Sequence, residues 1–244
     1  MVGALIVEDE TELLLSPGER VDVLVMGTQN SGSYRLLALP YARMGRSALQ
    51  AITLMTVMYQ GQLSPVQAIP TTINPDAARL DPRTLNVMAD RALNLSMGQA
   101  NGYITGQDFD VKPYTIMSEV GTFELWTILN QSGMDHPFHQ HVNPCQVLSV
   151  SGGAANSAGL YSGIPAWKDT VLVPKWGSLT ILVPVMDYTG MAMFHCHILE
   201  HEDIGMMGIW APDGRRHGRD VGGGSGTAPS SFWASPFSTP GRFA

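Results

Sequence analysis

An all-β sandwich is the fold this sequence predicts. Three observations carry the prediction: short apolar stretches recur along the chain, turn-forming Gly, Pro, Asn or Asp bound them, and convincing helical periodicity is scarce.

In chain order, the first candidate strands are ELLL (residues 12–15) and RVDVLVMG (20–27), with the turn SPGE between them. SYRLLAL (33–39) follows, and then ALQAITLMTVMYQG (48–61), which ends in a β-rich segment. The stretch SPVQAIPTTINPDAARLDPR carries four prolines and little period, so residues 64–82 are expected to form a linker. Beyond it lie TIMS (115–118), TFELWTILN (122–130), CQVLSV (145–150), DTVLVP (169–174), SLTILVP (178–184), MAMFHCH (191–197) and MGIWAP (207–212). Residues 83–212 are therefore expected to form one complete β domain, and residues 1–63 part of another with about four or five strands, too few to close a sandwich. That shortage points to a portion of the protein upstream of this sequence. From residue 213 to 244, Gly, Ser and Pro dominate, which predicts a poorly ordered tail unless its aromatics dock.

Composition narrows the function classes. Hydrophobic residues make up 44% and charged residues 14%, the balance of a chain that buries a core. A formal net charge of −7 argues against a nucleic-acid partner, because phosphate binding needs concentrated Lys and Arg. No apolar run approaches the roughly 20 residues of a membrane span. The opening MVGALIVEDETELLL has no basic region before its acids and does not read as a secretory signal. The two cysteines sit in unlike contexts, so a disulfide between them is not expected. Cys145, in PCQVLSV, reads as a small buried thiol, whereas Cys196 stands between two histidines.

Six of the seven histidines lie in two short segments, HPFHQH (136–141) and HCHILEH (195–201), a clustering that metal binding explains best. In extended backbone, residues two apart share a side. His195 and His197 then face one way and Cys196 the other. His139 and His141 share a side, and His136 faces away. Two centres follow. Cys196, His201 and Met206 are spaced Cys-x4-His-x4-Met, with Gly205 easing the turn in the loop. Together with His136 they offer a thiolate, two imidazoles and a weak axial thioether, the donor set of a blue-copper electron-transfer site. His139, His141, His195 and His197 offer only imidazoles, which suit copper that binds and reduces oxygen. Taken alone, HPFHQH also fits a zinc site or a solvent-facing cluster, and HCHILEH also allows zinc. A hydrolase of the HxHxDH type would need Asp where Glu200 stands. The two segments together with Met206 favour copper.

HPFHQH and HCHILEHEDIGM resemble the third and fourth copper motifs of the multicopper oxidases, the family of laccases, bilirubin oxidases and bacterial copper-efflux oxidases. WKDTV (167–171), GYITGQDFD and FELWTILN look like that family's last cupredoxin domain, and PGERVDVLV and GSYRLLALPY look like the later half of its middle domain. The resemblance spans about residues 1–212. It implies a cupredoxin-like Greek-key β-sandwich preceded by part of a second such domain. It makes His136, Cys196, His201 and Met206 type 1 copper ligands, His139 a type 2 ligand, and His141, His195 and His197 type 3 ligands. Glu202 matches an acid that helps supply protons for oxygen reduction; a solvated surface acid beside Glu200 and Asp203 fits that position equally. Asp135 reads as a turn acid, and Trp167 and Asp169 as structural. The family's trinuclear cluster takes eight histidines, half of them from two HxH motifs in its first domain. No such motif stands elsewhere here, and the remaining histidine, His217, is in the tail. The chain is thus expected to complete a type 1 site and half of the cluster and to need the missing N-terminal cupredoxin domain, as a fragment of a longer oxidase, which is favoured, as a truncated reading frame, or as a partner of another chain.

The resemblance further implies dioxygen as electron acceptor and a phenolic or similar small-molecule donor. Cuprous or another metal ion is the alternative donor, and a non-catalytic blue-copper electron carrier is the alternative function. It also implies a periplasmic or secreted location. Fourteen methionines favour the metal-ion donor slightly, but Met88 to Met97 is not a dense Met-rich insert.

Overall fold

The computed structural model describes residues 13–23, 31–41, 50–61, 65, 68, 79–107, 109, 115–152 and 167–213. The tail from residue 214 and most of the expected linker lie outside the described residues, as does the second half of RVDVLVMG.

The described chain is built almost wholly of strands. A two-stranded antiparallel sheet pairs β1 (Gly32–Ala38) with β2 (Ile52–Tyr59). The rest forms two larger sheets. After a 3-10 turn at Pro82–Thr84 come β3 (Val87–Met97), β4 (Gly102–Ile104), β5 (Ile116–Glu119), β6 (Thr122–Asn130) and β7 (His136–Gln140). β8 (Cys145–Ser151), β9 (Trp167–Lys168), β10 (Thr170–Val173), β11 (Ser178–Val185) and β12 (Ala192–Cys196) follow. A one-turn helix α1 (Leu199–Asp203) leads into β13 (Met207–Asp213). One sheet has the order β4-β3-β6-β11-β8-β9 and the other β10-β7-β12-β13-β5. Successive strands alternate between the sheets from β5 to β8, the crossing pattern of a Greek-key sandwich.

Sequence pattern accounts for most of this. TFELWTILN alternates apolar and polar residues, and the structure buries every second side chain of β6 with Asn130 at its end. The core between the sheets is aromatic. Trp126 of β6 meets Phe194 of β12 and Trp210 of β13 edge to face, with ring centroids 5.7 and 5.5 Å apart, and Phe138 of β7 lies 5.8 Å from Phe194.

Three elements differ from expectation. β3 contains Asp90, Arg91 and Asn94, which obscure its alternation. It is held by parallel pairing with β6 and by Arg91, whose guanidinium forks onto buried Glu124 at 2.7 Å by both Nε and a terminal nitrogen; Glu124 also accepts from Trp126 Nε1 at 2.8 Å. Leu13–Leu15 of ELLL and Arg20–Val23 are not strand. The loop expected between Cys196 and Met206 contains α1 instead.

Candidate metal centres

β7 and β12 lie side by side in antiparallel register, with His195 opposite His139, Cys196 opposite Phe138 and Phe194 opposite Gln140. Directly opposed residues project from the same face of a sheet. His136, Phe138, Phe194 and Cys196 therefore point into the sandwich, and His139, His141, His195 and His197 point out of it. The parity expected from the two motifs is the arrangement in the structure.

On the inner face, Cys196 Sγ lies 3.5 Å from His136 Nδ1 and 3.6 Å from His201 Nδ1, and the two Nδ1 atoms are 3.2 Å apart. His136 and Cys196 are fully buried and His201 nearly so. β7 and β12 bring His136 and Cys196, whereas α1 turns His201 back toward them; His201 N–H donates to Ile198 O at 2.9 Å. Met206, also fully buried, is tied to the same group by backbone: its N–H donates to His201 O at 2.9 Å, and its carbonyl accepts from Cys196 N–H at 3.0 Å. Gly102 of β4 backs Met206, and a Cβ there would lie 2.8 Å from Met206 Cβ.

Ser132 and Asn130, which sequence reading passed over, set the ring of His136. Ser132 Oγ donates to Asn130 Oδ1 at 2.9 Å, with Met134 O an alternative acceptor at 3.2 Å, and so accepts from His136 Nε2–H at 2.7 Å. The proton on Nε2 leaves the Nδ1 lone pair aimed at Cys196 and His201. Burial, and secondarily the proximity of His201, lowers the His136 pKa to about 4, so the ring is held neutral. Burial pushes the Cys196 thiol up to about 12, against a backbone hydrogen bond at Ile198 that lowers it. A group that binds here must displace that proton.

On the outer face, ligand atoms of His139, His141 and His195 all lie within 4.8 Å of one another. His141 and His195 bring their Nε2 atoms to 3.2 Å. His197 stands at the edge of this group, its ring centroid 5.4 Å from that of His139 and 5.6 Å from that of His195. Each of two rings is fixed from behind. His195 Nδ1–H donates to Cys196 O at 3.0 Å, with Glu202 Oε2 at 3.4 Å. His139 Nδ1 lies 2.9 Å from Asp169 O and 3.0 Å from Thr170 Oγ1. Burial lowers the pKa of His139, and also that of His141, where the neighbouring His195 adds to the effect. Neutral imidazoles with one nitrogen hydrogen-bonded and the other pointing at a common centre are what transition-metal binding requires.

Of the other residues singled out, Asp135 accepts from Tyr41 Oη–H at 2.5 Å and from Lys175 N–H at 2.7 Å, beside His136. The Tyr41 hydroxyl is raised to about 12 by burial and by that bond. Cys145 is a buried free thiol that donates to Lys168 O at 3.1 Å. Trp167 belongs to β9, and Asp169 bridges to Arg20. His217 lies outside the described residues.

The sequence profile described as multicopper oxidase matches residues 76–214. The chain belongs to the multicopper oxidase family. A laccase of Haloferax volcanii is 30% identical over 204 residues, covering 82% of this chain and 34% of the laccase. A multicopper oxidase of Staphylococcus aureus is 38% identical over 123 residues, covering 49% of this chain and 26% of its own. Among solved structures, the multicopper oxidase of Campylobacter jejuni, described as a metallo-oxidase, superposes with a TM-score of 0.61 at 22% identity, over 75% of this chain and 41% of that one. A multi-copper oxidase from Pediococcus acidilactici gives a TM-score of 0.55 at 26% identity, over 70% and 35%. These likenesses make the sandwich cupredoxin-like. This multicopper oxidase chain spans about a third or less of the length of those curated relatives.

The inner donor set fits copper by its chemistry: a buried thiol sulfur, two imidazole nitrogens already converged on it, and a buried thioether held alongside. Among the described residues it is one of two groups able to hold a metal, the other being the outer imidazoles.

Proposed function

We propose that this chain is the electron-entry part of a laccase-like oxidase, in which one-electron oxidation of phenolic or similar donors is coupled to reduction of dioxygen to water. In this reading His136, Cys196 and His201, with Met206 as weak axial donor, hold a type 1 copper. His139 holds a type 2 copper, and His141, His195 and His197 hold type 3 coppers. The four outer imidazoles are half of a trinuclear cluster, and the other half comes from residues outside this sequence, as in a longer chain with an N-terminal cupredoxin domain. Bound copper supplies the one-electron redox chemistry at both centres. Four donor electrons and four protons balance each dioxygen converted to two waters.

One observation carries the reading. Cys196 puts its sulfur into the inner centre while its carbonyl accepts the Nδ1–H of His195 in the outer one, so a single residue spans both. Its neighbours His195 and His197 both belong to the outer group. A few covalent bonds and one hydrogen bond thus join the two sites. In this reading Glu202, whose Oε2 lies 3.4 Å from His195 Nδ1, passes protons toward the outer face. The donor approaches near His201. Cuprous ion is the alternative donor, and the name of the Campylobacter jejuni relative keeps it in view. Steady-state rates with a phenol and with cuprous ion separate the two. A periplasmic or secreted location suits the resemblance, and no helix among the described residues is long and apolar enough to cross a membrane.

Copper titration tests the proposal. The wild-type chain should turn intensely blue at the first equivalent, and Cys196→Ser should bind copper without that colour, because the charge-transfer band needs the thiolate. A blue Cys196→Ser protein would falsify the assignment.

A further inference from the structure

The turn Ser16–Arg20 lies against one outer-face imidazole, His197, and against Asp169, 149 residues from Arg20 in sequence, whose carbonyl faces His139. Gly18 adopts a left-handed φ of +81°, and a Cβ there would sit 2.4 Å from His197 Cδ2. The turn thus meets the His197 ring at a spot where no side chain fits. Two residues on, Arg20 forks onto Asp169, with both guanidinium nitrogens at 2.7 Å from the two carboxylate oxygens. Glu19, anchored by Ser16 Oγ–H at 3.1 Å, accepts from Lys168 Nζ at 2.9 Å.

Asp169 links this fork to His139. Thr170 Oγ1–H donates to Asp169 Oδ1 at 3.1 Å, so that the threonine oxygen can only accept from His139 Nδ1, as can Asp169 O. His139 is thereby fixed as the Nδ1–H tautomer, with its Nε2 lone pair free for a ligand role. Arg20 is largely exposed, and an exposed ion pair contributes little to stability. What the fork controls is the orientation of the carboxylate on which the Thr170 hydroxyl depends.

We propose that the Ser16–Arg20 turn positions the imidazole cluster: Arg20 acts through Asp169 and Thr170 to hold the second acceptor that aims the His139 ring, whose tautomer Asp169 O secures, and Gly18 backs His197. The idea deepens the copper reading of these imidazoles and rests on it for its consequence, though not for its geometry. Arg20 touches no candidate metal ligand and is a positioning residue.

The test compares the full 244-residue chain with Arg20→Ala, Arg20→Lys and Gly18→Ala. In metal-free protein with 15N-labelled histidine at mildly alkaline pH, wild-type His139 should show the Nδ1–H tautomer. Arg20→Ala should keep that tautomer, because Asp169 O only accepts, but should shift the His139 Nδ1–H resonance and speed its exchange with solvent, while the His136 Nε2–H resonance and the melting temperature hold. Arg20→Lys keeps the charge without the fork and should restore the wild-type resonance only in part. Gly18→Ala should shift the His197 resonances. On copper titration, Arg20→Ala should weaken binding at the outer centre roughly ten-fold or more while the blue band of the inner centre develops unchanged. An unaltered His139 Nδ1–H resonance and exchange rate in Arg20→Ala overturns the proposal, as does full rescue by lysine. Parallel loss of both copper signals with a lowered melting temperature also overturns it, because the turn would then only hold the fold. A wild-type chain that takes up no copper, with the Nδ1–H change still present in Arg20→Ala, supports positioning and sinks the copper reading instead.

Discussion

His136 and Met206 show how single side chains set the character of the inner centre. His136 is pre-aimed because Ser132 Oγ accepts a hydrogen bond from its Nε2–H, and neutral because burial lowers its pKa from 6.5 to about 4. Above 6.5 the ring is neutral in folded and unfolded chains alike and adds no pH dependence. As pH falls from 6.5 toward 4 the unfolded chain binds a proton that the folded chain refuses, so stability drops, by roughly 3 kcal/mol across the window. Denaturant melts of the metal-free protein at the two ends of that window should show the loss, and His136→Gln should reduce it to the part that His139 and His141 contribute. Met206 offers a different control. If its thioether is the weak axial donor, Met206→Leu leaves the blue band in place and raises the reduction potential, because the oxidised copper loses a ligand it favours. Met207→Leu is the comparison: a shift there and none at Met206 would place the axial residue one position further on.

At the scale of elements, the site depends on β7 and β12 staying in register. A slip of one residue would carry Cys196 to the outer face and His195 into the core. Phe194 holds that register through its edge-to-face contact with Trp126 and its packing on Phe138. Phe194→Ala should destabilise the protein by about 3–5 kcal/mol and broaden the blue band, because the cavity opens two residues from Cys196; chemical denaturation and absorption spectra check both. This period-two logic is why so much of the site could be read from sequence. The alternation in HPFHQH and HCHILEH separates inner from outer residues with no knowledge of the fold, and TFELWTILN shows its buried face in the same way. β3 was obscured because its Arg91 is satisfied by Glu124, a partner that local pattern does not show. Ser132 was overlooked although it lies only four residues from His136, because a serine in a turn has an ordinary reading of its own. The contacts of Gly18 and Arg20 were beyond reach for a stronger reason. They join segments that only the folded chain brings together, and neither residue type announces a role in metal binding.

At the scale of the whole molecule, the inner and outer centres differ in how much of their surroundings this chain provides. The inner centre is enclosed: thiol, two imidazoles and thioether are all buried, and Asn130, Ser132 and Gly102 support them from behind. The outer centre consists of four imidazoles on one face of a sheet, with His197 at its edge and the Ser16–Arg20 turn on one side. Four imidazoles can hold one loose copper, but three coppers would leave each with little more than one ligand from this chain, too few to fix any in place. The 244-residue polypeptide prepared by itself should therefore accept electrons from a donor at the inner centre, bleaching the blue colour, without reducing oxygen to water at a sustained rate. A second copy supplies the same four imidazoles on the same face and brings no motif of another kind. The measurement is oxygen uptake with a phenolic donor and excess copper, on this polypeptide and on a longer chain that adds an N-terminal cupredoxin domain with two HxH motifs. Uptake should appear only in the second case. Sustained turnover by the 244 residues alone would show that the outer imidazoles assemble a complete oxygen site without that domain, and the division of ligands proposed for this chain would have to be abandoned.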